Sequence, residues 1–149
     1  MKTGYDIVLD FDGTVVKHRY PDIGEDVGAI PVLRRLVKNG HRLILCSMRS
    51  RNSDGVDTLQ PALQWFKDND IPLYGINENP DQKAWTASPK IYGNIYIDDA
   101  AIGAPLKTDD SDAPPFIDWS VVSLYLLHYG CLSKKDIVEL WPTISVTNI

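Results

Sequence analysis

Asp10 and Asp12 stand one residue apart, and Gly13-Thr14 follows them. A carboxylate such as Asp10 can attack phosphorus and form an aspartyl-phosphate. A second carboxyl at Asp12 can protonate the leaving oxygen and then activate the water that cleaves the intermediate. Two anions repel, so this chemistry requires a cation. Mg²⁺ takes oxygen ligands, often one or two carboxylates with waters and a phosphate oxygen. Asp10, the backbone carbonyl of Asp12, and Asp98 or Asp99 could supply the protein's share. Ser47 and backbone N–H groups nearby, those of Gly13 and Met48 included, could hold phosphoryl oxygens. Arg49 and Arg51 could meet a substrate, or be solvated loop charges. A lysine would balance the remaining charge as a point cation.

Taken singly, each feature has an ordinary explanation. Asp10 and Asp12 could make a turn with an aspartate cap, Asp98-Asp99 a polar strand end, and Ser47 a helix-capping hydroxyl. Their order along the chain argues for the chemical reading, because each set follows an apolar run. Tyr5–Leu9 reads as a first strand, and the continuous apolar run Arg42–Cys46 as a second, doubly covered parallel strand. Pro72–Ile76 reads as a third, and Ile91–Ile97 contains a fourth that ends in Asp98-Asp99.

Helices alternate with these strands. The spacing of Ile30, Leu33, Leu36 and Val37 predicts a helix over about Val27–Asn39, with Asp26 as a cap, Pro31 in its first turn and Gly40 past its end. A second helix is expected over Leu59–Asn69, and one helical turn around Lys83–Thr86. Asp118 caps a helix to His128, and Ser133 starts a short one over Lys134–Leu140. The stretches from Asp12 to Asp26 and from Ala100 to Pro115 read as loops, the first with hairpin character. Strand–helix alternation predicts a parallel sheet with right-handed crossovers. Such crossovers return the chain to one edge, so Asp10, Ser47, Asn77 and Asp98 should meet at the carboxyl ends of the strands.

The 149 residues suit one domain, and 44% apolar content supports a sizeable core. A formal net charge of −5 argues against general nucleic-acid or anionic-membrane binding. Cys46 and Cys131 form neither a disulfide framework nor a zinc pattern, and Cys46, inside an apolar run, is expected to be a buried small hydrophobe. His18, His41 and His128 are scattered and are not read as catalytic bases. No export signal and no apolar run near 18 residues is evident, which predicts a cytoplasmic protein.

With these residues in place, the chain resembles the haloacid dehalogenase superfamily of phosphatases. Asp10-Phe11-Asp12-Gly13-Thr14 matches that family's first motif, Leu43–Ser47 its second, and Ile95–Asp99 its acidic fourth. The resemblance covers residues 5–100. It implies a Rossmann-like three-layer α/β/α sandwich with a mostly parallel sheet, extended by helical residues 116–142. It also implies a Mg²⁺-dependent phosphomonoesterase, with Asp10 as nucleophile, Asp12 as acid/base, and Asp10, Asp12, Asp98 and Asp99 around the metal. The second Asp points to phosphoryl transfer, since the dehalogenases lack it. The motif lysine is read as Lys90, eight residues before Asp98, with Lys83 as the competitor. Neither 12–27 nor 77–91 holds a cap domain of the usual size. A capless, open site fits a large phosphorylated substrate or shielding by a second subunit. A phosphotransferase or mutase with the same intermediate, and a non-catalytic binding domain, are the alternatives.

Overall fold

The computed structural model describes residues 1, 3–109 and 112–145. Its centre is a four-stranded parallel sheet. The strands are β1 (Asp6–Leu9), β2 (Arg42–Leu45), β3 (Gly75–Ile76) and β4 (Ile95–Ile97), in spatial order β3-β2-β1-β4. Helices α1 (Ala29–Lys38) and α2 (Leu59–Asp68) make the first two crossovers. A two-stranded antiparallel ribbon, β5 (Leu106–Lys107) with β6 (Phe116–Ile117), precedes α3 (Trp119–His128) and α4 (Lys134–Leu140). The result is the expected Rossmann-like α/β fold in three layers. The strand pairings put Leu9 opposite both Leu45 and Ile97, and Leu45 opposite Ile76. Asp10, Cys46, Asn77 and Asp98 therefore leave the sheet side by side at its carboxyl edge.

Side chains alternate across the strands. Ile7, Leu9, Leu43 and Leu45 share one core with the buried residues of all four helices, among them Leu33, Phe66, Trp119 and Ile137. Val8 and Ile44 are also buried but lie outside that cluster, facing the other side. There the covering layer is thin. It is the segment 77–93, in which only a 3₁₀ turn at Gln82–Ala84 is helical. Gly93 packs so closely that a Cβ on it would collide with Val8. Buried Asn79 ties this layer to the amino end of the sheet by donating to Asp6 Oδ2 (2.9 Å) and to the Tyr92 carbonyl (3.1 Å).

Several expected boundaries shorten. Only Gly75–Ile76 and Ile95–Ile97 ladder in the third and fourth strands. Just upstream of them, Tyr74 N–H donates to the Leu43 carbonyl (2.7 Å) and Asn94 N–H to the Asp6 carbonyl (2.8 Å), while Tyr92 N–H turns away to Gln82 Oε1 (2.8 Å). The loop expected at 100–115 contains β5, which two residues cannot announce by periodicity. Asp26 does cap α1, its carboxylate accepting from the N–H groups of Gly28, Ala29 and Ile30. Cys46 is corrected from buried to exposed, because the strand ends at Leu45 and Cys46 emerges at the open edge.

The C-terminal helices are fastened to α1 by Asp136. One of its oxygens pairs with Arg35; the other accepts from Ser133 N–H (2.8 Å) and Asn39 Nδ2 (3.1 Å). Ser133 and Asp136 thereby close a capping box at the start of α4. Burial by itself would raise the Asp136 pKa, but the Ser133 N–H, Arg35 and Asn39 outweigh it and hold it at about 2. A carboxyl depressed from 3.8 contributes stability above pH 4 that is lost as pH falls toward 2. Asp136→Asn is therefore expected to lose about 2 kcal/mol at pH 7 by denaturant unfolding, with the gap to wild type closing between pH 4 and 2.

Candidate active site

Asp10 begins where β1 ends, its N–H donating to the Ile97 carbonyl (3.0 Å). The next residues turn tightly: the N–H groups of Thr14 and Val15 both return to the Phe11 carbonyl. This turn aims the Thr14 hydroxyl back at Asp10 Oδ2 (3.0 Å), and Thr14 Oγ1 in turn accepts from the Asp99 N–H (3.1 Å). Thr14 thus joins the end of β1 to the end of β4. Asp10, Asp98 and Asp99 each present a carboxylate oxygen within 4.8 Å of the others. Among the described residues, no lysine or arginine makes an ion pair with this trio. Its one basic neighbour is His18, whose Nε2 lies 2.8 Å from Asp99 Oδ2.

Gly13 makes that approach feasible. Its φ of +80° suits glycine, and a Cβ there would collide with His18 Nε2 and Asp99 Oδ2. Its N–H donates to the Val16 carbonyl (2.8 Å), so in this structure it serves the turn rather than a bound anion. The C-terminal segment holds the turn from behind. Ile117 N–H donates to the Gly13 carbonyl (2.9 Å), and the indole of fully buried Trp119 to the Thr14 carbonyl (2.8 Å).

Asp12 is placed differently from expectation. Its carboxylate does not join the trio. It faces Arg49, which donates to both of its oxygens (2.8 and 2.7 Å). Arg49 itself is corrected from a substrate-facing or solvated residue to a fully buried one. Its remaining donors reach the carbonyls of Pro21 (2.9 Å), Thr58 (3.0 Å) and Asp22 (2.7 Å). All five guanidinium N–H groups are thereby used, and none is left for a phosphoryl oxygen. Arg51 is exposed.

Ser47 does lie at the edge. Its N–H donates to Asn77 Oδ1 (2.8 Å), and its hydroxyl accepts from the Arg49 N–H (3.1 Å) while keeping its own proton to donate. Met48 projects into solvent. Neither lysine reaches the trio. Lys90 lies over the Tyr96 ring, 5.6 Å from its centroid, and Lys83 pairs with Glu78 (3.4 Å). Both belong to the segment 77–93, which Asn79 anchors at the amino edge, so the catalytic role expected for Lys90 or Lys83 has no placement here. The sequence reading missed His18 and Cys46. A histidine five residues beyond Gly13 was the available signal for the first. Partial burial, then the charges of Asp10 and Asp98, push the Cys46 thiol pKa up, which marks it as their neighbour.

Three carboxylates so close leave a mark on Asp10. Burial, then the charge of Asp98, raise its pKa from 3.8 to about 7, against the opposing bonds from the Phe11 N–H and the Thr14 hydroxyl. Among the described residues, the trio therefore offers hard oxygen donors with His18 as their basic neighbour, the kind of donor that Mg²⁺ takes.

The sequence matches no protein-family model and no curated protein. It is similar to a solved structure described as that of a conserved protein from Bacteroides thetaiotaomicron. The two share 31% sequence identity and a TM-score of 0.64, over 91% of this chain and 98% of that one. The chain belongs to that protein's family. The match spans nearly the full length of both chains, so the likeness is to the whole fold rather than to one part of it. No helix among the described residues is long and apolar enough to cross a membrane.

A carboxyl whose folded pKa is raised from 3.8 to about 7 stabilises the fold fully below pH 3.8 and ceases to as pH rises through 7. In chelator, wild type is therefore expected to lose about 2 kcal/mol between pH 5.5 and 8 that Asp10→Asn retains, measured by urea unfolding at the two pH values.

Proposed function

We propose that the protein is a Mg²⁺-dependent phosphomonoesterase of the haloacid dehalogenase type, acting through an aspartyl-phosphate on Asp10. The observation that carries this reading is the trio of Asp10, Asp98 and Asp99 at the carboxyl edge, bridged by Thr14. When bound, Mg²⁺ would neutralise these carboxylates and the incoming phosphoryl oxygens. Thr14 orients the Asp10 carboxylate for attack. The Ser47 hydroxyl donates toward a phosphoryl oxygen. His18 holds Asp99 in place.

Asp12 serves as acid and base with Arg49 as its holder. Each Asp12 oxygen keeps a lone pair beyond its Arg49 bond, so Asp12 can accept a proton from water without leaving the clamp. Donating a proton is more demanding. A protonated oxygen accepts less well, so the acid step weakens one of the two Arg49 bonds. Water has open access, because neither 12–27 nor 77–91 builds a lid. That favours hydrolysis over phosphotransfer, in which water must be kept out.

The test is hydrolysis of an aryl phosphate with and without Mg²⁺. Wild type is expected to show metal-dependent release, and Asp10→Asn to lose roughly 10³-fold or more of it. No metal-dependent release by wild type, or full activity in Asp10→Asn, sinks the proposal. Arg49→Lys supplies a separate check. It keeps the charge and breaks the fork, so kcat is expected to fall about 10-fold or more with KM little changed. It also strands three carbonyls, with an expected loss of about 3 kcal/mol in stability.

A further inference from the structure

The open edge of the sheet is β4, and its flank is aromatic. Trp85, Tyr92, Tyr96, Tyr125 and Tyr129 are between 42% and 64% exposed, and Ile102 is exposed completely. Two cavities, of about 440 and 350 Å³, lie along this face and share Tyr96 in their walls. The patch is therefore continuous. Tyr125 and Tyr129 line the larger cavity beside Ile102, and Trp85 stands edge-on to Tyr92 (5.5 Å between centroids) in the smaller.

We infer that this face is the contact between two copies of the chain, related by a twofold axis that sets β4 beside its symmetry mate. The area is adequate. At 150–250 Å² per aromatic side chain, the exposed fractions and Ile102 together offer roughly 700 Å². A standard interface takes about 800 Å² from each partner. The composition fits as well, since Tyr and Trp concentrate in interface centres and charged residues are depleted there. Of the residues lining the two cavities, only Lys90 and Asp98 are charged, one of each sign. Two copies that each carry −5 repel across most faces, and here they meet on a nearly neutral one. Exposed Ile102 and Trp85 stand beside cavities on the same surface, so an isologous contact would set each against its partner's copy of that surface. A lone edge strand is also an exposed row of backbone donors and acceptors. At three residues β4 is a short edge, and pairing with a second β4 would cover that row. Asp98 lines the larger cavity, so the second subunit would border the acidic trio and narrow access to it.

This inference stands apart from the phosphatase reading and is tested without an activity assay. Sedimentation velocity of the full chain from 1 to 100 µM is expected to give a species of twice the 16.7 kDa chain mass. Ile102→Asp changes a fully exposed side chain, so its fold should be unaffected, and it is expected to raise the dimer Kd 100-fold or more. Tyr96→Glu should do the same, with circular dichroism checking its fold. Ile76→Asp, at the opposite edge of the sheet, should leave the dimer intact. A wild type that stays monomeric at 100 µM overturns the inference. So does a dimer that survives Ile102→Asp, or one that Ile76→Asp dissociates in its place.

Discussion

The bidentate pair between Arg49 and Asp12 is the contact on which the carboxyl edge depends. Three loops carry the site, after β1, after β2 and after β4, and loops have no ladder to fix them. Arg49 substitutes for one. From the loop after β2 it grips Asp12 and the carbonyls of Pro21 and Asp22 on the loop after β1, and Thr58 just before α2. A buried guanidinium is tolerable only when every donor is used and its charge is met. Both conditions hold, so the clamp has one good geometry and the two loops inherit it. Thr14 performs the same service between the loops after β1 and β4 with a single hydroxyl.

The two devices differ in what they leave behind. Arg49 satisfies its carboxylate, so Asp12 is fixed and paired. Thr14 satisfies Asp10 only in part and brings Asp98 and Asp99 up against it, so negative charge accumulates with, among the described residues, no basic partner but His18. The fold invests its one buried arginine in the neighbour and leaves the central aspartate short of a cation. A site built only for stability would pair both. This asymmetry, more than any single residue, supports the proposal that the acidic trio takes an external cation.

What the sequence made legible follows from the same physics. The positions of Asp10, Ser47, Asn77 and Asp98 depend only on where parallel strands end, and apolar runs reveal that. The roles of Arg49, His18, Lys90 and Lys83 depend on how loops lie in space, and no periodicity encodes it. Arg49 looked like a loop charge because its partner is 37 positions away. Lys90 looked close to the acidic pair because eight residues separate it from Asp98. The chain between them enters β4 from the amino side, where Asn79 holds it, and so carries the lysine to the far edge. Spacing along the chain measures distance only when the intervening backbone returns to the same edge; here Tyr96 Oη reaches back to the Ile91 carbonyl (2.6 Å), and Lys90 stays over the Tyr96 ring.

The C-terminal third illustrates a different limit. Its helices were legible from capping residues, Asp118 and Ser133, but their purpose was not. Trp119 is a core aromatic, and its indole N–H also fastens the carbonyl of Thr14. Ile117 does the same for Gly13 through its backbone. These bonds fix the turn that aims the Thr14 hydroxyl, so residues more than 100 positions downstream set the geometry at Asp10. A core that extends over nearly the whole chain is thus part of the site's construction. It also accounts for how the fold, under a thin third layer, holds three carboxylates within reach of one another. The repulsion among them is opposed by Thr14 locally and by the packing of α3 and α4 behind it.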